Sequence, residues 1–121
     1  MGRTLPGLQT AQNGVAPESR YVSIQVASEY DGGPAALTSD TLAAFYHVRD
    51  LKASGRHIAS ANYSMGGQLV SGPCGGPLET VFQQLRALQV APVTSSGNTG
   101  EQGSVTYPAC APSAITVAGT T

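Results

Sequence analysis

Apolar residues fall at helical spacing in two stretches of the chain and gather into short β-forming runs in four others. Tyr21–Ala27 (YVSIQVA) is rich in β-formers and predicts a first strand, set up by the turn-like Gly14-Val15-Ala16-Pro17. Glu29–Pro34 reads as a loop. Thr38 or Ser39 can cap a helix, with Asp40 favoured at its positive end, and Leu42, Phe45 and Tyr46 then share one face at i, i+3, i+4. Arg49 and Lys52 suit its C-terminal end, and Gly55 is a natural stop. His57–Tyr63 predicts a second strand that ends at Ser64-Met65-Gly66-Gly67. After a loop at 71–77 (SGPCGGP), Pro77 fits a first helical turn, and Leu78, Val81, Phe82, Leu85 and Leu88 form one apolar stripe. Val90–Ser95 and Ala114–Ala118 predict the third and fourth strands.

Strand, helix, strand, helix, strand is the order of βαβ crossovers in a parallel sheet. The expected class is therefore α/β. Parallel sheets are covered on both faces, and two helices are few for that, so one face is expected to lack cover. Ligands of open α/β sheets gather at the carboxyl ends of the strands. Two glycine-rich loops leave strands there: Ser64–Gly67 after the second, and Ser95-Ser96-Gly97-Asn98 after the third. Gly-Asn-Thr-Gly has every residue type that a tight turn favours. An asparagine amide at that end of a sheet can also donate to an oxyanion, which makes Asn98 a candidate catalytic donor.

The 121 residues suit one domain, with 1–13 an undefined lead-in. Only 11% of residues are charged, against a usual quarter, and 15 glycines with 8 prolines demand many turns. The net charge is −1 with the basic residues scattered, so neither nucleic acid nor an anionic membrane is expected as partner. No run approaches the roughly 20 apolar residues of a membrane span. The first residues, MGRTLPGLQTAQNG, lack the apolar core of a signal peptide, which leaves an intracellular protein or a true N-terminus further upstream. Neither GxxxxGK[ST] nor GxGxxG occurs, which argues against a nucleotide-binding domain. His47 and His57 read as ordinary structural or surface residues. Ser64 follows Asn62-Tyr63 where a nucleophile elbow would need a glycine, and reads as a strand-end turn.

Read in order, "NGVAPES", "ANYSMGG", "SSGNTG" and "YPACAPSAITVAGTT" resemble the central part of subtilisin-like serine proteases, from Asn13 to Thr121. The resemblance implies an incomplete portion of the doubly wound subtilisin-like fold. It implies that Asn98 is the oxyanion-hole asparagine. Ser64, Met65 and Gly66 would line the first specificity pocket and pair with an extended peptide or protein substrate, and Ser95, Ser96 and Gly97 would form the opposite wall. The small wall residues and Met65, with no carboxylate, leave room there for an apolar or aromatic side chain. Tyr30–Gly33 would correspond to an edge that holds more remote substrate residues, and Tyr107-Pro108 to a bond commonly cis in the family. The resemblance sets Cys74 just after the pocket segment and Cys110 just after Tyr107-Pro108. A Cys74–Cys110 disulfide and an extracytoplasmic or secreted setting are the hypothesis, against two unpaired small apolar residues. It implies no cofactor or metal in this segment, although calcium is usual in the intact enzymes.

The departures concern the triad. The family's Asp-Thr/Ser-Gly, His-Gly-Thr-His and Gly-Thr-Ser-Met-Ala do not occur among the 121 residues; Asp31-Gly32-Gly33 is nearest to the first and follows "GVAP" instead of preceding it. The expectation is an internal stretch of a serine endopeptidase, Met1 being an internal or mis-assigned start. It would hold the oxyanion donor and part of the cleft but would be inactive alone. The alternative is a non-catalytic peptide-binding module of the same fold.

Overall fold

In the computed structural model, residues 15–119 are described; the lead-in 1–13, Gly14 and the final threonines of "AGTT" lie outside them. The chain opens with a hairpin, β1 (Ala27–Tyr30) against β2 (Gly33–Ala36), antiparallel, with Tyr30 facing Gly33 across an Asp31-Gly32 turn. Gly33 takes the left-handed backbone that only glycine adopts freely, φ +101°. Helix α1 (Thr38–Ala53), strand β3 (Ser60–Tyr63), the short β4 (Leu69–Val70) and helix α2 (Pro77–Ala87) follow. Strands β5 (Ala91–Ser95), β6 (Val105–Thr106) and β7 (Ile115–Val117) complete the order. The main sheet is β3-β5-β7, parallel throughout, while β4 and β6 pair separately and antiparallel. This is the α/β class expected.

Two expectations need correction. Residues 21–26 form no strand, and Tyr21 and Val22 are 86% and 65% exposed. Among the described residues nothing pairs with them, and β-propensity measures fit to a neighbour more than an intrinsic preference. Glu29–Pro34 is hairpin, not loop: Asp-Gly between two extended runs is a strong hairpin signal. The first strand–helix–strand unit is thus replaced by a hairpin leading into α1, and among the described residues the only helical crossover within the sheet is α2, from β3 to β5. Helix α1 also starts without the expected cap. Its cap position is Leu37, with no side-chain bond, and Thr38 and Ser39 lie in the first turn. Its end is as expected: Arg56 N–H donates to Leu51 O and Gly55 N–H to Lys52 O, closing the last turn around Gly55 at φ +97°.

The core lies between the helices and one face of the sheet. The stripe on α2 is buried as its period predicts, with Leu78, Val81, Phe82 and Leu85 all at most 1% exposed, and Leu88 half-buried. Phe82 meets Phe45 of α1 edge to face, 4.8 Å between centroids, and Phe45 meets Tyr63 of β3 at 6.0 Å. Pro92 and Thr94 of β5 are buried and alternate with half-buried neighbours, while β7 is exposed along its length.

Glu79, in the first turn of α2, ties this layer to the approach of β7. Its carboxylate accepts the backbone N–H of Ser113 at 2.9 Å and the Ser113 hydroxyl at 2.7 Å. Burial pushes its pKa up, but the Ser113 and Gln83 hydrogen bonds and nearby Arg86 outweigh this, so the carboxyl sits below its ordinary value of 4.5. A depressed folded pKa gives stability that is full above the unfolded pKa and lost as pH falls through the folded one. Glu79→Gln is therefore expected to lower stability by about 1 kcal/mol at neutral pH. Urea midpoints measured from pH 7 down to pH 3 should show the difference from the parent chain shrinking below about pH 4.5. A difference that stays constant over that range would separate Glu79 from the acid sensitivity of the fold.

Candidate peptide-binding cleft

In the parallel β3–β5 ladder Tyr63 lies opposite Thr94, so the segments that follow, Ser64–Gly67 and Ser95–Asn98, leave the same end of the sheet side by side. Strand β6 joins them. Gly67 N–H donates to Tyr107 O at 2.9 Å and Tyr107 N–H to Gln68 O at 2.8 Å. On the other side Thr106 N–H donates to Ser96 O, and Ser96 N–H to Val117 O, both at 2.9 Å. The two loops are thus walls held apart by one segment, Thr106–Tyr107. The Tyr107–Pro108 bond is cis, as the resemblance implies.

The walls differ in what they face. Met65, Gly66 and Gly67 line a cavity of about 320 Å³ whose far side is β2 (Pro34, Ala35, Ala36). Tyr63, Tyr107 and Leu78 also line it, and among the described residues no charged one does. Burial, with Tyr63 adding to it, pushes the Tyr107 phenol above its ordinary pKa, so it stays a neutral hydroxyl. Ser95, Ser96 and Gly97 are not part of this cavity. Of these, Gly97 approaches Gly66 across Thr106, which is buried, and takes φ +112°. Pro34, Ala35 and Ala36 of β2, directly after the expected Tyr30–Gly33 edge, and Thr106 are the cleft residues that the sequence reading does not single out. The Asp-Gly turn could have signalled the first; nothing in "GSVTYP" distinguishes the second.

Asn98 follows Gly97 at the outer end of this wall and is exposed; among the described residues its side chain makes no hydrogen bond. The Ser64 hydroxyl accepts from the Asn62 amide at 3.0 Å, a partner that cannot take a proton from it. His47 and His57 are both exposed, on α1 and ahead of β3. Behind the cleft, Cys74 and Cys110 form a disulfide, and Cys74 N–H donates to Cys110 O at 3.0 Å. Among the described residues, no three His, Cys, Asp or Glu side chains gather as a metal site, and no helix is long and apolar enough to cross a membrane.

A parallel sheet with paired glycine-rich loops at its carboxyl end, walled by a hairpin edge, defines an α/β protein with an open, uncharged cleft. Residues 4–121 match the subtilase family, and the chain belongs to that family of serine peptidases. A search of curated proteins gives no match.

Proposed function

We propose that this chain is a segment of a subtilisin-like serine endopeptidase that binds extended peptide but hydrolyses none by itself. The observation that carries the reading is the delivery of Ser64–Gly67 and Ser95–Asn98 to one end of the sheet in a chain of the subtilase family. Peptide main chain pairs along Ser64–Gly66, with Ser95, Ser96 and Gly97 as the opposite wall. A more remote apolar side chain enters the cavity between Met65 and β2. The Asn98 amide donates to the carbonyl oxygen at the reacting position, where an oxyanion would develop. In an intact enzyme a serine activated by histidine would attack that carbonyl; no motif for the triad occurs in this sequence. Binding calls on no metal or cofactor, so EDTA should leave affinity unchanged. The disulfide supports an extracytoplasmic setting.

The test is calorimetric titration with an acetylated tetrapeptide bearing a free C-terminal carboxylate, whose oxygens stand where the oxyanion would. Asn98→Ala is expected to weaken binding about fivefold, the roughly 1 kcal/mol of one exposed hydrogen bond, and to affect the C-terminal amide less. Equal affinities for the two proteins would remove Asn98 from the site. Turnover of a chromogenic peptide by the purified chain, surviving removal of trace host protease, would overturn the inactivity.

A further inference from the structure

Residues 21–26 (YVSIQV) have the composition of a strand and no partner. Val22, Ile24 and Val26 alternate with Ser23 and Gln25, the period of a half-buried strand, and the run holds no charge, glycine or proline. Among the described residues its backbone groups make no hydrogen bond to other backbone groups, and Tyr21 and Val22 are largely exposed.

The sheet offers a matching edge. In the order β3-β5-β7, among the described residues, β3 pairs on one side only. Its sequence, SANY, carries neither the charge nor the proline that commonly protects an edge strand. Ala61 and Tyr63 are half-buried and pack on the core, while Ser60 and Asn62 are exposed. The opposite edge strand, β7, is exposed along its whole length and has no such sidedness. Helix α1 lies over β3: Phe45 meets the Tyr63 ring, and the Thr41 hydroxyl donates to Tyr63 Oη at 3.3 Å. Leu42 and Val48 of the same helix are only half-buried. A strand added beside β3, with Val22, Ile24 and Val26 on the core side, continues that apolar layer beneath α1. Ser23 and Gln25 then fall on the face of Ser60 and Asn62.

We propose that two copies of this chain form a dimer by exchanging this run, residues 21–26 of each pairing with β3 of the other. Among the described residues the run reaches no partner in its own chain, and its end is held where Ala27 enters the hairpin opposite Ala36. Each copy thus carries one unpaired strand and one unpaired edge of the same sidedness. A reciprocal exchange uses both and closes as a two-fold pair with neither left over. Two strands, each about 20 Å long at the usual rise, supply backbone hydrogen bonds for affinity and alternate apolar side chains for register. The inference stands apart from the peptide-cleft reading, because it uses β3 and not the loops beyond its carboxyl end.

Sedimentation equilibrium of the full chain across the micromolar range is expected to show a monomer–dimer equilibrium. Hydrogen exchange read by NMR at both ends of that range should find the amides of 21–26 protected in the dimer and open in the monomer, with the 60–63 signals shifting between the two states. Val22→Asp places a charge on the face that the dimer buries, at a position exposed in the single chain. It should leave the helical circular dichroism unchanged and weaken the dimer at least tenfold. Ser23→Pro combined with Ile24→Pro should do the same, because one of any two neighbouring N–H groups in a strand must face β3. A chain that stays monomeric throughout overturns the inference. So does a dimer that neither variant weakens, or one in which the signals of 115–117 move in place of 60–63, which would put the contact at the other edge. Protection of 21–26 that is independent of concentration would mean that the run pairs within its own chain, and overturns the inference equally.

Discussion

Replacing Cys74 and Cys110 together by serine is expected to lower the free energy of unfolding by about 3–4 kcal/mol, the entropy that a cross-link of this span removes from the unfolded chain. The half-cystines are 36 residues apart, and between them run α2, β5, the Ser95–Asn98 wall and β6. Without the bridge that whole excursion is released in the unfolded ensemble. In the folded chain, the Cys74–Cys110 backbone hydrogen bond still ties the two residues together. Small domains have little stability to spare, so a change of this size is a large part of the total. Urea midpoints of the parent, the double serine variant and the dithiothreitol-reduced parent check the point. The latter two should fall together, well below the first. A loss under about 1 kcal/mol would mean that the unfolded chain is already confined by residual structure.

Phe82→Ala is expected to cost about 3–5 kcal/mol. Phe82 is fully buried, its ring edge meets Phe45, and it belongs to the core cluster that joins α1, α2 and Val90 ahead of β5. The loss combines the transfer energy of a large ring with the cavity left behind, and the neighbouring phenylalanine loses its edge-to-face partner. Thermal unfolding followed by circular dichroism would read the effect. It should also loosen the position of α1 on the sheet, because Phe45 touches both Phe82 and Tyr63. Phe82→Leu, which keeps most of the volume, should lose well under half as much. Equal losses would mean that ring shape, not filled volume, holds the layer together.

Phe82 also shows what the sequence reveals. Its place in an i, i+3, i+4, i+7 stripe specifies both the helix and the buried face, because helical period and core contact are one local fact. The parallel strands β3, β5 and β7 were legible as short β-forming runs; β3 and β5 start later than expected and end where expected, and β7 is one residue shorter at each end. Residues 21–26 misled because β-formers report a neighbour that must be supplied from elsewhere in the chain. Strands β4 and β6, of two residues each, carry no period at all. The link from Glu79 to Ser113 and the wedging of Thr106 between Gly66 and Gly97 join residues far apart in sequence. No local pattern encodes such meetings. The candidate loops were therefore readable, but what stands between them was not.

The central claim is that Ser64–Gly67 and Ser95–Asn98 form one peptide cleft, and it is tested most directly by mapping backbone amide shifts of the labelled chain during titration with acetyl-Ala-Ala-Pro-Ala. The account predicts saturable shifts at Ser64–Gly67, Ser95–Asn98 and the β2 edge, with the outer faces of α1 and α2 unmoved. Saturable shifts centred elsewhere, or none at millimolar peptide, would contradict it.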